Sequence, residues 1–116
     1  MMHGNAASAE AYYKAMNDKD LPAMARRLHP DVQLVTPMED LTGRDTVLEA
    51  AKKLLDFIRS VEVLARFDSG GQAMLVYNMH FTGPAGLCRT AALMTFQDGL
   101  IVRNELFFDA SPFKKT

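Results

Sequence analysis

His80 and Tyr12 are the side chains in this sequence best suited to proton chemistry on a carbonyl compound. An imidazole titrates near neutral pH and can act as a base. A phenol can donate a hydrogen bond to a carbonyl oxygen. Together they would support a proton transfer or a dehydration. Asn78 and Asn104 are expected on the same sheet face as His80, with Tyr12 above them on the first helix. In the competing reading, His80 and the two asparagines satisfy one another inside the fold, or face water through a shifted strand register. Tyr12 and Tyr13 can equally be core, as aromatic residues at helical spacing usually are.

Other chemistries find no support. His3, His29 and His80 lack metal-ligand spacing and Cys88 is the single cysteine, so no metal is expected. No Gly-rich phosphate loop is present and no cofactor is expected. Cys88 reads as a small buried residue with no activating neighbour in sequence. Glu39 and Asp40 read as solvated charges on a loop near a pocket mouth. Met16, Met38, Met74, Met79 and Met94 read as packing, although Met also suits adaptable binding surfaces.

The elements that must position these residues follow from periodicity. Ala9, Tyr12, Tyr13 and Met16 have helical spacing, with Ser8 as the expected N-cap. Asp20 caps a second short helix with Pro22 in its first turn. His29-Pro30-Asp31 is expected to end it, and Val32 to Thr36 reads as a strand. Thr42 and Asp45 begin a third helix whose stripe is Val47, Leu48, Ala51, Leu54, Leu55 and Ile58. Beyond Ser60 the period becomes two, giving four strands near 61–67, 72–82, 87–96 and 100–108. Helices first and an antiparallel meander last define an α+β fold in one domain, 1–116.

Composition bounds the function. The 116 residues carry 13 Lys and Arg against 14 Asp and Glu, a net charge of −1, which argues against a nucleic-acid partner. No apolar run is long enough to span a membrane, and no targeting segment is evident, so a cytoplasmic location and no membrane partner are expected. The hydrophobic fraction of 48%, with eight Met, is generous for so small a domain.

Strand register offers a cause. Three-residue loops at Pro84-Ala85-Gly86 and Gln97-Asp98-Gly99 would put Val76, Asn78, His80, Thr90, Ala92, Met94, Asn104, Leu106 and Phe108 on one face. Leu75, Tyr77, Met79, Leu93, Arg103, Glu105 and Phe107 would occupy the other. Both faces are largely apolar, whereas a sheet covered on one side should alternate. A homodimer through the second face is therefore expected.

The order of several motifs resembles a known family. Asn17-Asp18-Lys19-Asp20-Leu21 leads to His29-Pro30-Asp31-Val32, then Thr36-Pro37 and Leu41-Thr42-Gly43-Arg44. The hairpin Phe96-Gln97-Asp98-Gly99-Leu100 and the tail Phe107-Phe108-Asp109-Ala110-Ser111-Pro112-Phe113 complete it. The chain resembles the SnoaL-like and ketosteroid-isomerase-like branch of the nuclear transport factor two-like superfamily. The resemblance implies a cone: three N-terminal helices packed in the concave face of a strongly curved, mainly antiparallel sheet, around a deep apolar pocket. It also implies dimers through the sheet. Members include isomerases, cyclases, dehydratases, epoxide hydrolases and non-catalytic binding domains, so the fold does not settle the function.

In similar ketosteroid isomerases a tyrosine and a protonated aspartic acid hold the oxyanion while a second carboxylate moves the proton. Tyr12 matches the tyrosine. Thr36 stands at the base position and Ala92 at that of the other acid, so this chemistry does not transfer. The reading that results is a small-molecule-binding protein with an apolar pocket. Its expected lining is Tyr12, Met16, Thr36, Met38, Val76, Asn78, His80, Thr90, Ala92, Met94, Asn104, Leu106 and Phe108. The alternative is a cofactor-independent isomerase, cyclase or dehydratase acting on a small apolar carbonyl compound, with His80 as base and Tyr12 as donor.

Overall fold

The computed structural model describes residues 4–113. Helix α1 spans Asn5–Asn17, starting before the expected cap at Ser8. Its first turn is held by a distant strand, where the Asp68 carboxylate accepts from the Ala6 amide at 2.7 Å. At Gly4 a Cβ would meet that carboxylate, which would have to shift to make room for it. Helix α2, Leu21–Ala25, begins as expected, the Asp20 side chain accepting from the Ala23 amide. Between them Lys19 turns the chain at φ +57° and its Nζ donates to the carbonyls of Leu55 and Ile58. That contact ties the α1–α2 turn to the end of helix α3, Arg44–Leu55.

Six strands form one sheet. They are β1 Leu28–Val35, β2 Asp40–Thr42, β3 Ile58–Ser69, β4 Gln72–Phe81, β5 Leu87–Gln97 and β6 Leu100–Phe107. Strand β1 starts earlier than expected. His29-Pro30-Asp31 lies inside it, because the residue before proline favours extended backbone. The order is β2-β1-β6-β5-β4-β3, with β1 and β6 parallel and every other pair antiparallel. Helix α1 packs on β3 and β4, and α3 on β1 and β2, so the helices cover one face. Extra residues at Leu64 in β3 and Val102 in β6 interrupt the pairing. Such bulges bend and twist a strand, which curves the sheet around the helices. The result is the expected α+β cone.

The turns correct the expected register. The β5–β6 turn has two residues, Asp98 and Gly99, both at positive φ, and Gln97 pairs with Leu100. That is the primed turn whose twist suits a hairpin. The Val102 bulge then shifts pairing once more, so Met94 meets Asn104 and Ala92 meets Leu106. The net error of two residues leaves the faces of β5, and of β6 beyond the bulge, as expected, whereas before the bulge Ile101, expected on the outer face, turns into the core. The β4–β5 connection, by contrast, is Thr82–Ala85, closed by Phe81 N donating to Gly86 O at 2.7 Å. Tyr77 therefore meets Thr90 and His80 meets Leu87, an offset of three that turns β4 over.

Two groups of residues change sides as a consequence. Leu75, Tyr77 and Met79, expected on the outer face, point inward and are buried under the helices. Val76, Asn78 and His80, expected inside, lie on the outer face with Leu93, Arg103, Glu105 and Phe107.

Candidate functional site

The helices do not fill the cone. A cavity of about 170 Å³ remains between α1, α3 and the inner sheet face. Helix α1 contributes Tyr12, Tyr13 and Met16, all buried, at the spacing that puts them on one helical face. Helix α3 contributes Val47, Ala50, Ala51 and Leu54, where the two alanines leave the room that larger residues would close. From the sheet come Leu34, Tyr77, Met79, Phe81, Cys88, Thr90, Asn104 and Leu106, followed by Phe108. Phe113, on the short 3-10 helix Ser111–Phe113, packs edge-on against Phe81 and Phe108 and closes one end. Thr36, Met38 and Glu39 line the cavity from the β1–β2 loop. The Thr36 hydroxyl fastens that loop, accepting from the Met38 and Glu39 amides and donating to the Glu39 carbonyl.

Of the expected lining, Tyr12, Met16, Thr36, Met38, Thr90, Asn104, Leu106 and Phe108 stand around the cavity. Ala92 and Met94 share that face but are fully buried in the packed core beside it. Val76, Asn78 and His80 lie on the other side of the sheet. His80 Nε2 sits 3.4 Å from Glu62 Oε1 on the neighbouring strand. Asn78 donates to the same carboxylate oxygen at 3.3 Å and accepts from Arg89 Nε at 3.0 Å. These contacts hold the Glu62 carboxyl below its usual range, chiefly through Asn78 and next through His80. An imidazole engaged there cannot serve the cavity as a base, and the carbonyl chemistry that needed it loses its proton acceptor. His29 accepts from the Asp31 amide near the surface, and His3 lies outside the described residues. Among the described residues no group of three His, Cys, Asp or Glu is placed to hold a metal ion.

The polar groups of the cavity are weak acids and neutral dipoles. Tyr12, Tyr13 and Tyr77 are the three tyrosines of the chain, and all three line it. The Tyr12 and Tyr13 rings meet edge-on with centroids 5.1 Å apart, and Tyr13 and Tyr77 lie at 4.5 Å. Burial pushes each phenol above its ordinary value. The neighbouring Tyr13 adds to the rise at Tyr12 and Tyr77, while the Asn104 side chain opposes it at Tyr13. All three stay protonated at neutral pH and can donate hydrogen bonds. Asn104 Nδ2 donates to the Tyr13 hydroxyl at 3.0 Å. The Cys88 thiol lies 3.7 Å from the Thr90 hydroxyl. Among the described residues no Lys, Arg or His lines the cavity, and the one lining carboxylate, Glu39, is exposed. An anion would find no counter-charge there and would have to shed its water, which is costly. A neutral molecule would not.

Comparisons with known proteins agree with this architecture. The SnoaL-like domain model matches residues 9–104. A protein of nuclear transport factor two-like fold and unknown function from Cytophaga hutchinsonii superposes with a TM-score of 0.85 at 19% identity, covering 97% of this chain and 96% of that one. A protein from Kribbella flavida provisionally described as a ketosteroid isomerase gives 0.82 at 21% identity, covering 90% and 77%. One from Sinorhizobium meliloti provisionally described as a polyketide cyclase gives 0.80 at 19%, covering 87% and 94%. At these identities the likeness is one of fold. A search of curated proteins gives no match.

Proposed function

The chain belongs to the SnoaL-like domain family, and from that premise we propose that it is a small-molecule-binding protein whose cavity takes a neutral, mainly apolar ligand. The observation that carries this reading is the largely apolar wall, with no cationic side chain in it among the described residues. Binding rather than turnover is favoured because the buried polar groups of the wall are phenols held protonated, an amide and a hydroxyl. None is suited to exchange protons near neutrality. Tyr12, buried in the wall with its phenol held protonated, can donate to an acceptor on the ligand.

Thermal shift and calorimetry with single-ring probes test this. Toluene and phenol are expected to bind and to raise the melting temperature, while benzoate does neither at the same concentration. Ala51 lies in the wall on α3. Ala51→Phe should fill the void and abolish binding of both neutral probes in a protein that still melts cooperatively. Binding of benzoate equal to that of toluene would overturn the reading.

The outer sheet face supports a second, separate proposal, a homodimer. Phe67 and Phe107 are 58% and 48% exposed, with Met74, Val76 and Leu93 beside them on that face and an Arg103–Glu105 pair at 3.5 Å. Apolar surface of this kind on one side of a sheet favours a self-complementary contact. Sedimentation at micromolar concentration should give a dimer, and Phe107→Glu a monomer. A wild-type monomer would remove the proposal.

A further inference from the structure

Asn104 is out of place in a cavity wall built of rings and methyl groups. It sits mid-strand in β6, opposite Met94 and beside Leu34 of the parallel neighbour β1, and is only 4% exposed. Its Nδ2 is anchored on the Tyr13 hydroxyl at 3.0 Å. Its Oδ1 is cut off from solvent and has no hydrogen-bond partner among the described residues. A buried carbonyl oxygen left this way costs about 1–3 kcal/mol, and native folds retain few such groups. An apolar residue of the same shape would pack with Met94 and Leu34 at no such cost. Keeping the amide therefore points to a group that arrives later and donates to it.

Size narrows that group. A cavity of about 150 Å³ lined by apolar side chains holds one benzene ring, and this one measures about 170 Å³. The ligand is then a single ring or its equivalent in branched chain. Charge narrows it further. A cation would need a buried counter-ion, and the one lining carboxylate, Glu39, is solvated.

Deepening the binding reading, on which it rests, we infer that the ligand is an uncharged molecule of about one ring that carries an O–H or N–H and donates it to Asn104 Oδ1. Asn104 is one of the lining residues, and a small turn of its carboxamide toward the cavity, made as a ring settles against β6, brings that oxygen to the ligand's donor. Tyr13 holds the amide in place through Nδ2, and so acts as a positioning residue for the site.

Phenol and toluene are nearly the same size and differ in the one group at issue, so calorimetric titration of the intact protein with each is the test. Phenol is the better hydrated of the two, and without a hydrogen bond in the cavity it should bind less tightly than toluene. With one, phenol is expected to bind about tenfold more tightly. Asn104→Leu should erase that preference while toluene binding remains. Should that variant fail to fold, the Asn104 side-chain carbonyl carbon resonance of the wild type serves instead. It should shift on adding phenol and stay put with toluene.

Toluene binding as tightly as phenol in the wild type would overturn the inference and leave the binding reading intact. So would anisole, which accepts but cannot donate, outcompeting phenol. Cyclohexylammonium matching cyclohexanol would overturn the uncharged class. Preference for phenol persisting in Asn104→Leu, or an unmoved carbonyl resonance, would remove Asn104 from the account. If no neutral probe binds at all, the binding reading itself fails and takes this inference with it.

Discussion

Strand β4 carries two different sets of residues on its two sides. Leu75, Tyr77, Met79 and Phe81 face the helices, and the first three are buried. Val76, Asn78 and His80 face away, and Asn78 and His80 join a polar network with Glu62 and Arg89 on the flanking strands. The inner set consists of bulky side chains that exclude water and leave a void of ring size. The outer set joins an apolar Val76 to hydrogen-bonded polar groups, with Asn78 buried and His80 half-buried. Residues one position apart thus have unrelated roles. The side of the sheet decides whether a polar group is a candidate for ligand contact or a surface bond.

Truncation should separate the two sides most strongly. Leu75→Ala removes a side chain with no exposed surface and is expected to cost about 2–5 kcal/mol in urea denaturation. Val76→Ala, next door on the outer face, should cost under about 1 kcal/mol. Similar losses at both positions would mean that the register drawn for β4 is wrong.

Alkaline pH should expose the inner face next. The three phenols are raised by burial above the ordinary value of 10.0. Above that value the unfolded chain releases protons that the folded chain keeps. Stability is therefore fully present below about pH 10 and falls as pH rises beyond it. The chain has no Trp and three Tyr. Phenolate absorbance should consequently appear together with loss of circular dichroism, as one unfolding event. Phenolate appearing in a protein that keeps its secondary structure would show a cavity open to water.

The binding experiment gives a smaller but sharper contrast. His80→Ala should leave the affinity for toluene unchanged within about twofold, because the imidazole lies behind the sheet. Loss of binding in that variant would restore His80 to the site.

Much of this was legible in the residues. Tyr12 and Met16 follow from helical spacing, and the Val47, Ala51 and Leu54 stripe marks the face of α3 that meets the cavity. Motif order pointed to the cone. Register was harder, because one loop length decides a whole strand. Asn104 came out on the correct face because a two-residue turn and the Val102 bulge together displaced β6 by an even number. His80 came out on the wrong face because the Thr82–Ala85 connection displaced β4 by three. A signal was present: Leu75, Tyr77, Met79 and Phe81 are bulkier and more apolar than Val76, Asn78, His80 and Thr82, and volume favours the first set inside. Phe113 had no such signal, since only the tertiary path of the tail brings it to the cavity.

The smallest expected effect belongs to the outer network. Asn78, His80 and Arg89 hold the Glu62 carboxyl below its ordinary value of 4.5 in the folded chain. A lowered folded value means that the stabilisation is present above about pH 4.5 and is lost as pH falls through the lowered value, where the carboxylate takes up its proton. The group is solvent-exposed, so water and salt screen most of the interaction. Glu62→Gln should therefore leave stability at pH 7 almost unchanged and slightly flatten the fall in acid. The difference should shrink further in high salt. An acid profile identical in the variant at low salt would mean that the network orders the surface without stabilising it. A large loss at pH 7 would mean that Glu62 is covered in solution, as a second subunit on that face would cover it.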